Sequence, residues 1–558
     1  MEKNSWQVIV EALEAEGVRC VFGMPGNPRL LYDALYDSRS VKAIHAREQS
    51  SGVFMAIGHA RATGGVGVCF GSTGPGFTNM LSGILEAQAA STPLVVLSAS
   101  VSTTHEGLPA FQETDQLAMA RPVTKWSYRI PSPERTPWAI RRAFQIARSG
   151  CPGPVYVEIP TDLSLQPRAI SAYTPSVRPA PPRPDAAALE QLVDLLNQAE
   201  RPVAVAGGGT VWAGAFGEVM RLADELKVPV LTTASGRGSI DERNPLSLGL
   251  TGLYFTRVGR EVYFDADLLL ILGSRNDQFE TGMWHYRPAN AKIAQIDIDT
   301  EAIGRNWIPD LGIVADVRSS LGDLIAAADP PSSLRVERAE RIAAQKSAYL
   351  AEIAEECANS YPHVKTKVVL NAYQRIFGRD SVLVNENGSQ DLWSYYAPYF
   401  TVPARGCVPP GAQTCMGAGV SGAVGVKLAR PESAVVCVTG DGAFQMHMRE
   451  IATAAQYKLG ITYLVLNNRA LGWIRFHQRR GGARYIATEF DVQADFAAVA
   501  SASGCFGATV HRPEELEPAL EQARAANEQA RPAVLDITVD DELPQGFEQY
   551  HKELLPVK

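Results

Sequence analysis

Two apolar runs, each followed at once by glycine or polar residues, constrain the fold of this chain more than any other feature. Residues 434–438 (AVVCV) lead through a threonine into Gly440-Asp441-Gly442, and residues 461–466 (ITYLVL) lead into a pair of asparagines that ends at Asn468. Such runs are typical of strands that are buried on both faces and are neighbours in a parallel sheet. We therefore expect Asp441 and Asn468 at the carboxyl edge of one sheet, where open α/β sheets bind ligands.

The segment between the two runs has the spacing of an amphipathic helix. Its apolar residues recur at helical intervals, and Gly460 follows them as a stop signal. These apolar residues are Phe444, Met448, Ile451, Ala455 and Leu459. The whole stretch is therefore predicted to form a β-turn-α-β unit, with an acid at the end of the first strand and an amide at the end of the second.

These residue types suit a hard cation and a diphosphate. Mg²⁺ prefers a few protein oxygens together with phosphate oxygens. The protein oxygens can come from Asp441, Asn468 and the backbone carbonyl of Ala470. The glycines on either side of Asp441, together with Ala443, would let a diphosphate approach the backbone at the start of the helix. A tight turn with a helix cap is the alternative interpretation of the glycines and the acid.

Composition and charge narrow the class of protein. With 46% hydrophobic and 20% charged residues, the chain has the composition of a globular protein. Its net charge of −8, without a basic block, argues against nucleic acid and anionic membranes as partners. No apolar run is long enough for a membrane span, and the first residues lack the apolar core of a signal peptide. Eight scattered cysteines without a CxxC pair are typical of reduced thiols, so we expect a cytoplasmic protein.

The organisation of the chain predicts several domains. Its 558 residues exceed what one core accommodates, and strands alternate with helices in three blocks. We assign the blocks to residues 1–165, 186–345 and 365–540, with a Pro-rich linker at 177–185, a polar helical connector at 333–358 and a tail at 541–558. The alternation predicts an α/β protein with three doubly wound parallel-sheet domains.

Eight motifs, in this order and spacing, resemble those of thiamine diphosphate (ThDP) enzymes of the acetolactate synthase and benzaldehyde lyase branch. The resemblance extends over nearly the whole chain. The motifs are GMPGNP (23–28), HAREQ (45–49), GSTGPGFTN (71–79), AFQETDQLAMARPVTKW (110–126), GPVYVEIPTD (153–162), AQIDID (294–299), MGAGVSGAVG (416–425) and the GDG…NN unit. Together they are highly specific to the superfamily and less specific to the substrate.

The resemblance implies a pyrimidine-binding domain at 1–165, a central Rossmann-like domain at 186–345 and a diphosphate-binding domain at 365–540, with ThDP and Mg²⁺ as cofactors. Glu48 matches the glutamate that bonds N1′ of the aminopyrimidine, where a carboxyl group favours the imino tautomer that accepts the proton of thiazolium C2. The backbone carbonyl of Thr414 matches the acceptor of the 4′-amino group. Met416 matches the apolar side chain that holds the two cofactor rings in their bent conformation.

Further matches lie on the substrate side of the cofactor. Gln112 matches a glutamine that contacts the cofactor-bound intermediate, although a loop amide is the alternative. Gly26 and Asn27 lie on a glycine-rich turn that faces cofactor and substrate in relatives. Phe111 is expected either to line the substrate pocket or to belong to the core. In the helix after the asparagines, Trp473 is a further candidate for the pocket.

Three positions depart from the patterns of the family. Biosynthetic acetolactate synthases carry a Met and a Trp in the helix after the asparagines, whereas this chain has Trp473 at the first position and His477 at the second. Because that Trp favours a larger keto acid acceptor, His477 argues against the biosynthetic role and becomes a candidate proton-transfer group. Residues 387–393 also differ from the corresponding segment of acetolactate synthases. Their Leu392-Trp393 is similar to benzaldehyde lyase, but Pro25 stands where that enzyme has an active-site histidine.

The central block contains three glycines at 207–209 after an apolar run, without the GxGxxG of a dinucleotide site, so these residues alone predict a turn. In the family this domain holds FAD in acetolactate synthases, an ADP moiety in some coenzyme A lyases and no ligand in others. Arg275 matches part of the flavin region, and Asp297, Asp299 and Asp316 are in register with its adenosine-side acids. The resemblance therefore leaves FAD, an ADP moiety and an empty domain as alternatives.

We interpret the chain as a ThDP- and Mg²⁺-dependent lyase or transferase that acts on 2-keto acids or 2-hydroxy ketones, with acetolactate synthase-like carboligation as the leading alternative. Cleavage similar to that of benzaldehyde lyase or 2-hydroxyacyl-CoA lyase, and decarboxylation of a 2-keto acid, are the others. A flavin or nicotinamide oxidoreductase is the alternative of a different class, but no GxGxxG motif supports it. The family binds ThDP between subunits, which implies a homodimer or homotetramer with Glu48 and Asp441 of different chains on one cofactor.

Overall fold

The computed structural model describes residues 2–165, 167–396, 398–544 and 547 of the chain. In these ranges the strands form three sheets of six, and all neighbouring strands within each sheet are parallel. This arrangement confirms the α/β class and the three parallel sheets that the alternation of strands and helices predicts. The domain limits assigned from the sequence stay predictions.

The described residues divide into two compact units that do not follow the order of the chain. The first unit contains the chain up to Pro179 together with Pro410–Pro431 and Met446–Leu459. The second contains Ala180–Pro409, Glu432–Gln445 and the chain from Gly460 onward. Two segments of the predicted diphosphate-binding domain therefore pack with the first sheet, while the second and third sheets share a unit.

The first sheet belongs to the first unit. Its strands are β1 (Cys20–Gly23), β2 (Lys42–His45), β3 (Gly67–Gly71), β4 (Leu94–Ser100), β5 (Trp126–Arg129) and β6 (Pro154–Pro160). The helices of this part are α1 (Ser5–Ala15), α2 (Arg29–Asp37), α3 (Gln49–Thr63), α4 (Pro75–Thr78), α5 (Leu81–Ala89), α6 (Gln116–Ala120), α7 (Thr136–Arg148) and α8 (Thr161–Leu165). The strand order is β2-β1-β3-β4-β6-β5, and β3, β4 and β6 are buried at every position, as expected for parallel strands covered on both faces.

The second sheet belongs to the second unit. Its strands are β7 (Pro202–Ala206), β8 (Val230–Thr232), β9 (Ser247–Leu250), β10 (Leu268–Leu272), β11 (Lys292–Asp297) and β12 (Leu311–Val314). The helices are α9 (Ala186–Gln198), α10 (Gly208–Ala213), α11 (Phe216–Leu226), α12 (Arg257–Phe264), α13 (Val317–Ala327) and α14 (Ser333–Ala358). The strand order is β12-β11-β10-β7-β8-β9, and α14 coincides with the helical connector expected at 333–358.

The third sheet contains the strands that the opening motif predicts. They are β13 (Val382–Asn385), β14 (Cys407–Val408), β15 (Val435–Gly440), β16 (Ile461–Asn467), β17 (Phe506–Val510) and β18 (Ala533–Thr538). The helices are α15 (Thr366–Phe377), α16 (Leu392–Tyr395), α17 (Ala418–Ala429), α18 (Asp441–His447), α19 (Ile451–Gln456), α20 (Gly472–Arg480), α21 (Phe496–Ala502) and α22 (Pro513–Glu528). The order is β14-β13-β15-β16-β18-β17, so β15 and β16 are parallel neighbours as predicted.

The prediction of one continuous helix between β15 and β16 is wrong. The apolar spacing of residues 444–459 predicts a single helix, but α18 ends at His447, a 3-10 turn spans Met448–Glu450, and α19 begins at Ile451. The backbone of His447, with φ −128° and ψ 12°, lies outside the helical region. Apolar spacing cannot reveal such a break, because the buried face continues in phase on both sides of it.

Close glycine contacts join α3 to α17 within the first unit. A Cβ on Gly58 would lie 2.3 Å from the carbonyl oxygen of Gly422, and a Cβ on Gly425 would lie 1.9 Å from that of Met55. Neither position accepts a side chain without moving a helix backbone. Glu48 immediately precedes α3, and Met416 lies just before α17. This packing therefore fixes the positions of the two helix N-termini beside which Glu48 and Met416 lie.

Two general features bear on the class of protein. Among the described residues, none of the helices combines the length and apolar character that crossing a membrane requires. All eight cysteines are free thiols, and most are buried. Free, buried thiols agree with the expectation of a protein without disulfides.

Candidate functional site

Asp441 lies at the tip of β15, where the strand passes directly into α18. Its side chain is 1% exposed, and its Oδ2 accepts a 2.9 Å hydrogen bond from Nε2 of Gln493. Burial raises the pKa of Asp441 to about 6, against the effect of the Gln493 hydrogen bond. Gln493 also donates to Oδ1 of Asn467 at the end of β16, 3.3 Å away. One amide therefore connects the ends of the two strands.

Asn468 follows β16 and begins the loop that leads to α20. Its Oδ1 accepts the N–H of Ala470 at 3.2 Å, and its Nδ2 donates to Asp541 at 3.3 Å. An amide oxygen has a second lone pair, so Oδ1 can also coordinate a cation. The structure thus brings Asp441, Asn468 and the backbone of Ala470 to one edge of the third sheet.

Asp391 lies at the same edge, in the segment between β13 and α16. It is completely buried, and no side chain among the described residues donates a hydrogen bond to either carboxyl oxygen. A Cβ on Gly440 would stand 4.0 Å from its Oδ2. Burial raises the pKa of Asp391 well above its usual range, the nearby Glu386 and Asp441 add to the rise, and the backbone N–H of Gly440 opposes it. The uncharged acid is therefore favoured here.

Unsatisfied buried polar atoms at this edge indicate that a polar ligand completes it. The Asp391 carboxyl lacks a side-chain partner, and Oε1 of Gln493 is buried without any partner in the part of the chain that the structure describes. Folded proteins rarely leave such atoms unpaired. Within the described ranges, no three His, Cys, Asp or Glu side chains form a metal cluster. A cation at Asp441 would therefore depend on amide, carbonyl, water and phosphate oxygens, the set that suits Mg²⁺ and a diphosphate.

Two residues at this edge were missed by the sequence analysis. Gln493 lies 52 residues after Asp441, in a stretch without a motif, so no local pattern indicates its contact. Asp391 belongs to the segment beside Leu392-Trp393 that differs from acetolactate synthases. That departure was the only sequence feature that could have indicated it.

Glu48 caps the N-terminus of α3, three residues after the end of β2, in the first unit. Its Oε2 accepts hydrogen bonds from the N–H of Ser51, at 3.1 Å, and from the hydroxyl of Ser50. Both bonds use the same oxygen, which leaves Oε1 for a ligand. The side chain is half-buried.

Residues of the segment Met446–Leu459 hold the backbone around Glu48. The hydroxyl of Tyr457 accepts the N–H of His45 at 2.8 Å. The buried carboxylate of Glu450 accepts the N–H of Arg47 at 3.0 Å. These two bonds fix the chain immediately before Glu48, so the side chain projects from a constrained backbone.

His447 is a third residue of this segment that the sequence analysis missed. Its Nδ1 lies 2.9 Å from Oγ of Ser51 on α3 and 3.1 Å from Oγ of Ser421 on α17. Burial lowers the pKa of His447 to about 4, Arg449 adds to the decrease, and Glu48 opposes it. A neutral imidazole therefore joins the first turns of the two helices.

Thr414 and Met416 lie in the loop that leads into α17, in the same unit as Glu48. Thr414 has a φ of 49°, a left-handed conformation that is uncommon for a residue with a Cβ. Gly417 has a φ of 88°, and a Cβ there would stand 2.1 Å from the ring of His447. The backbone therefore turns sharply on both sides of Met416, and position 417 accepts only glycine.

The glycine-rich turn at Gly26 packs on the turn that follows β3. The N–H of Gly26 donates to the hydroxyl of Tyr32 at 2.7 Å, and the N–H of Asn27 donates to Oγ of Ser72 at 3.0 Å. Nδ2 of Asn27 donates to Oγ1 of Thr73 at 3.3 Å. Both the backbone and the side chain of Asn27 are thus bound to the turn that follows β3.

Gln112 approaches the same turn from the other side. A Cβ on Gly74 would stand 2.7 Å from the carbonyl oxygen of Gln112, whose φ of 63° is left-handed. The turn at 72–74 therefore brings Asn27 and Gln112 into one region. Phe111 is 85% exposed, so it does not belong to the core of this chain.

Trp473 and His477 occupy successive turns of α20. Their rings are 5.1 Å apart and edge-to-face, and Trp473 also lies 5.9 Å from Phe547. Burial lowers the pKa of His477, and Arg480 contributes to the decrease. Phe547 belongs to the tail predicted at 541–558, of which residues 545–546 and 548–558 lie outside the described residues.

The central glycines are explained by packing of backbone on backbone. A Cβ on Gly207 would lie 2.3 Å from the carbonyl oxygen of Gly273, and one on Gly209 would lie 2.8 Å from its Cα. Gly207 and Gly209 are thus needed for the close approach of the β7 and β10 ends. They do not by themselves indicate a nucleotide.

The central residues matched to the flavin region already have protein partners. Arg275 forms a 3.1 Å ion pair with Asp277. Asp297 accepts the N–H of Asp299 at 2.9 Å, and burial raises the pKa of Asp297 to about 6. Asp316 caps α13 through the N–H of Ser319. These contacts neither require nor exclude an adenine nucleotide.

Three family models match consecutive parts of the chain. The N-terminal TPP binding domain of thiamine pyrophosphate enzymes matches residues 3–119, their central domain matches 189–324, and their C-terminal TPP binding domain matches 386–537. TPP is another name for ThDP. The three matches follow the order of the three sheets.

Relatives of nearly equal length share about a third of their residues with this chain. The "Probable acetolactate synthase large subunit" of Methanocaldococcus jannaschii is 34% identical over 551 residues, which cover 96% of this chain and 91% of the relative. The acetolactate synthase isozyme 3 large subunit of Escherichia coli is 33% identical over 96% of this chain and 94% of its own. An acetolactate synthase of Arthrospira platensis is 31% identical over 95% and 93%.

Proposed function

Because the chain belongs to the thiamine pyrophosphate enzymes of the acetolactate synthase family, we propose that it joins two 2-keto acids and releases one carboxyl group as CO₂. With pyruvate as both substrates, the reaction consumes one proton and forms 2-acetolactate and CO₂. The observation that carries the proposal is the buried Asp441 at the tip of β15, beside Asn468 and polar atoms without partners. Such an edge favours a charged, phosphate-bearing ligand.

Bound ThDP would supply a nucleophilic carbon and an electron sink, and the protein would supply binding and orientation. We assign the Mg²⁺ to Oδ of Asp441, Oδ1 of Asn468 and the backbone carbonyl of Ala470. The backbone at Gly440, Gly442 and Ala443 would face the diphosphate. No step of the reaction requires these residues to exchange protons, so their contribution is affinity and position.

Glu48 would hold a proton against N1′ of the aminopyrimidine. A carboxyl group there favours the imino tautomer, whose nitrogen is the base for the C2 proton. The carbonyl of Thr414 would accept a hydrogen bond from the 4′-amino group, and Met416 would support the bend between the rings. The constrained backbone before Glu48 supports this role, because a carboxyl group that shares a proton with one cofactor atom must be held in a fixed geometry.

On the substrate side, Asn27 and Gln112 are proposed to contact the keto acids, since one turn holds both. Gly26 would face the cofactor from that turn. Trp473 and His477 would line the acceptor pocket from α20, and Phe111, which is exposed in the single chain, would line it from the loop that carries Gln112. His477→Trp should then shift the preference between pyruvate and 2-ketobutyrate as acceptor. An unchanged product ratio would remove His477 from the pocket.

For the central domain, we propose an adenine nucleotide, FAD or an ADP moiety, near Arg275 and the acids at 297, 299 and 316. The carboligation itself needs no redox step, so a flavin would have a structural role. A visible spectrum and nucleotide extraction of the purified protein decide between a flavin, an ADP moiety and neither. A flavin that is reduced during turnover would instead support the oxidoreductase alternative.

We further propose a cytoplasmic homodimer or homotetramer with the active site at the subunit interface. Relatives named large subunits support an assembled enzyme. If Glu48 and Asp441 of different chains serve one cofactor, a mixture of inactive Glu48→Gln and Asp441→Ala chains should recover about a quarter of the activity after subunit exchange. Recovery of none would place both residues in one subunit's site.

The proposed function is tested with cofactor-free protein. Pyruvate should be converted to 2-acetolactate and CO₂ only when ThDP and Mg²⁺ are both added. Benzoin, benzoylformate and a 2-hydroxyacyl-CoA are tested beside it, because Leu392-Trp393 is similar to benzaldehyde lyase. Faster cleavage of one of these substrates would replace carboligation by a lyase reaction. Activity without ThDP would overturn the proposal.

A further inference from the structure

Glu86, on α5, is a buried carboxyl group that none of the roles above uses. It is 2% exposed, and both of its oxygens accept backbone N–H groups from the loop before α17. Oε1 accepts the N–H of Gly411, and Oε2 accepts the N–H of Cys415 at 3.2 Å. Both partners are more than 300 residues away in the sequence, and all three residues belong to the first unit.

The hydrogen bond between Glu86 and the N–H of Cys415 controls the direction of the Thr414 carbonyl, which is expected to contact the cofactor. The N–H of Cys415 and the C=O of Thr414 belong to one planar, trans peptide group, in which they point in opposite directions. A carboxylate that holds this N–H therefore determines the direction of the Thr414 carbonyl. It also polarises the peptide group, which makes that carbonyl a better hydrogen-bond acceptor.

The conformation of the loop shows why such a restraint is needed. Thr414 has a φ of 49°, which is unfavourable for a residue with a Cβ. Its own N–H donates to the carbonyl of Gly411 at 3.0 Å, so the loop is a closed turn with Glu86 bonded to both ends. Without Glu86, a flip of the peptide between Thr414 and Cys415 would turn the carbonyl away.

The approach of the loop to α5 is close and specific. A Cβ on Gly411 would lie 2.6 Å from Oε1 of Glu86 and 2.8 Å from the Cβ of Ala90. Sγ of Cys415 lies 3.6 Å from the carbonyl oxygen of Ser82, also on α5. Burial raises the pKa of Glu86, and its hydrogen bonds to Cys415 and Gly411 oppose that rise.

We propose that Glu86 is a positioning residue of the cofactor site, which aims the Thr414 carbonyl at the 4′-amino group of ThDP by holding the Cys415 amide. The inference rests on the proposed function, because it takes the aminopyrimidine as the group that Thr414 receives. Glu86 itself touches neither cofactor nor substrate. Its effect passes through one peptide group.

The test compares Glu86→Gln with wild type and with Leu85→Ala, an exposed neighbour on the same helix. The glutamine keeps one acceptor oxygen but turns an NH₂ group toward the second amide. At saturating Mg²⁺–ThDP and without substrate, the rate of C2–H/D exchange in the bound cofactor should fall roughly tenfold or more. Affinity for Mg²⁺–ThDP, followed by fluorescence titration, should also decrease, while Leu85→Ala matches wild type in both.

A double variant separates positioning from general stability. A flip of the Thr414–Cys415 peptide reverses ψ of Thr414 at its positive φ, a conformation that glycine tolerates best, so Thr414→Gly should slow exchange further in the Glu86→Gln background. If exchange in Glu86→Gln equals that of wild type, or if only the melting temperature changes, the proposal is overturned. If Glu86→Gln does not fold, Glu86→Asp, which is too short to reach both amides, is measured against the same two outcomes.

Failure of the proposed function would be recognised separately. Wild-type protein that neither binds Mg²⁺–ThDP nor exchanges its C2 proton would refute the function. Wild-type protein that does both, with an unaffected Glu86→Gln variant, would refute only the role of Glu86.

Discussion

A methyl group at Gly58 would test the helix contact on which the Glu48 end of the site depends. In wild type, the Cα of Gly58 on α3 faces the backbone of Gly422 on α17, where a Cβ would lie 2.3 Å from the carbonyl oxygen. An ordinary contact needs more than 3 Å, so Gly58→Ala must push the two helices apart by roughly 1 Å. The partner position differs, since a Cβ on Gly422 has only the carbonyl oxygen of Phe54 nearby, at 3.5 Å.

The two substitutions should therefore have opposite effects on stability. Overpacking at Gly58 costs about 1–3 kcal/mol, and the gain in helix propensity returns about 0.5–1 kcal/mol of that. The net loss of about 1–2 kcal/mol corresponds to a decrease in melting temperature of roughly 2–8 °C for a domain of this size. Gly422→Ala gains the same helix propensity without overpacking, so its melting temperature should rise by roughly 1–4 °C.

Differential scanning calorimetry of the cofactor-free protein measures both variants, and a ThDP titration follows. Gly425→Ala, whose Cβ would lie 1.9 Å from the carbonyl oxygen of Met55, provides a second clash on the same interface. We expect Gly58→Ala and Gly425→Ala to weaken ThDP binding, because the starts of α3 and α17 shift with the helices. A Gly58→Ala protein as stable as Gly422→Ala would refute the described contact.

The remaining predictions concern ionisable groups. Glu48→Gln should bind Mg²⁺–ThDP but slow C2–H/D exchange by about 100-fold or more, and unchanged exchange would exclude its assigned role. Because Mg²⁺ needs the carboxylate and burial raises the pKa of Asp441 to about 6, metal affinity should increase with pH through that value. Between pH 5 and pH 7 we expect about a tenfold change in Mn²⁺ binding, measured by electron paramagnetic resonance without ThDP, and a flat profile in Asp441→Asn. The lowered pKa of His447, about 4, means that unfolding takes up a proton below the ordinary histidine value of 6.5. Stability should therefore be lost as pH falls from 6.5 toward 4, less so in His447→Asn, and identical melting profiles would contradict the neutral, buried imidazole.

Local sequence patterns correctly predicted the strands that are buried on both faces. The runs that became β15 and β16 are buried on both faces, so their apolar character alone identified them and placed Asp441 and Asn468 at their ends. The connector at 333–358 was predicted at its observed limits, because a long polar run rich in Glu, Ala and Arg favours a helix. The break at His447 was not, since it follows from contacts with α3 and α17 rather than from spacing.

Contacts between distant segments account for the other omissions. Gln493 and Glu86 hold the site through partners 52 and more than 300 residues away, and nothing in their own neighbourhoods distinguishes them from surface amides and acids. The resemblance supplied residues that share a motif with the family, such as Glu48 and Met416. It could not supply residues that act through this chain's own packing.

Two buried carboxyl groups, Glu86 and Asp391, show how packing distinguishes acids that hold the protein together from acids that face a ligand. Glu86 has both oxygens bonded to backbone amides, so its desolvation is balanced within the protein and its role is to hold a loop. Asp391 is also buried, but no side chain in the described part of the chain bonds to either oxygen, and the backbone N–H of Gly440 is the donor that opposes the rise in its pKa. An unpaired polar group in the interior costs about 1–3 kcal/mol, which the protein would tolerate where a ligand removes the cost. Without cofactor, the edge of the third sheet around Asp391 should therefore be less stable than the loop that Glu86 holds. Binding of Mg²⁺–ThDP should stabilise the edge by about 3 kcal/mol at a hundredfold excess over Kd.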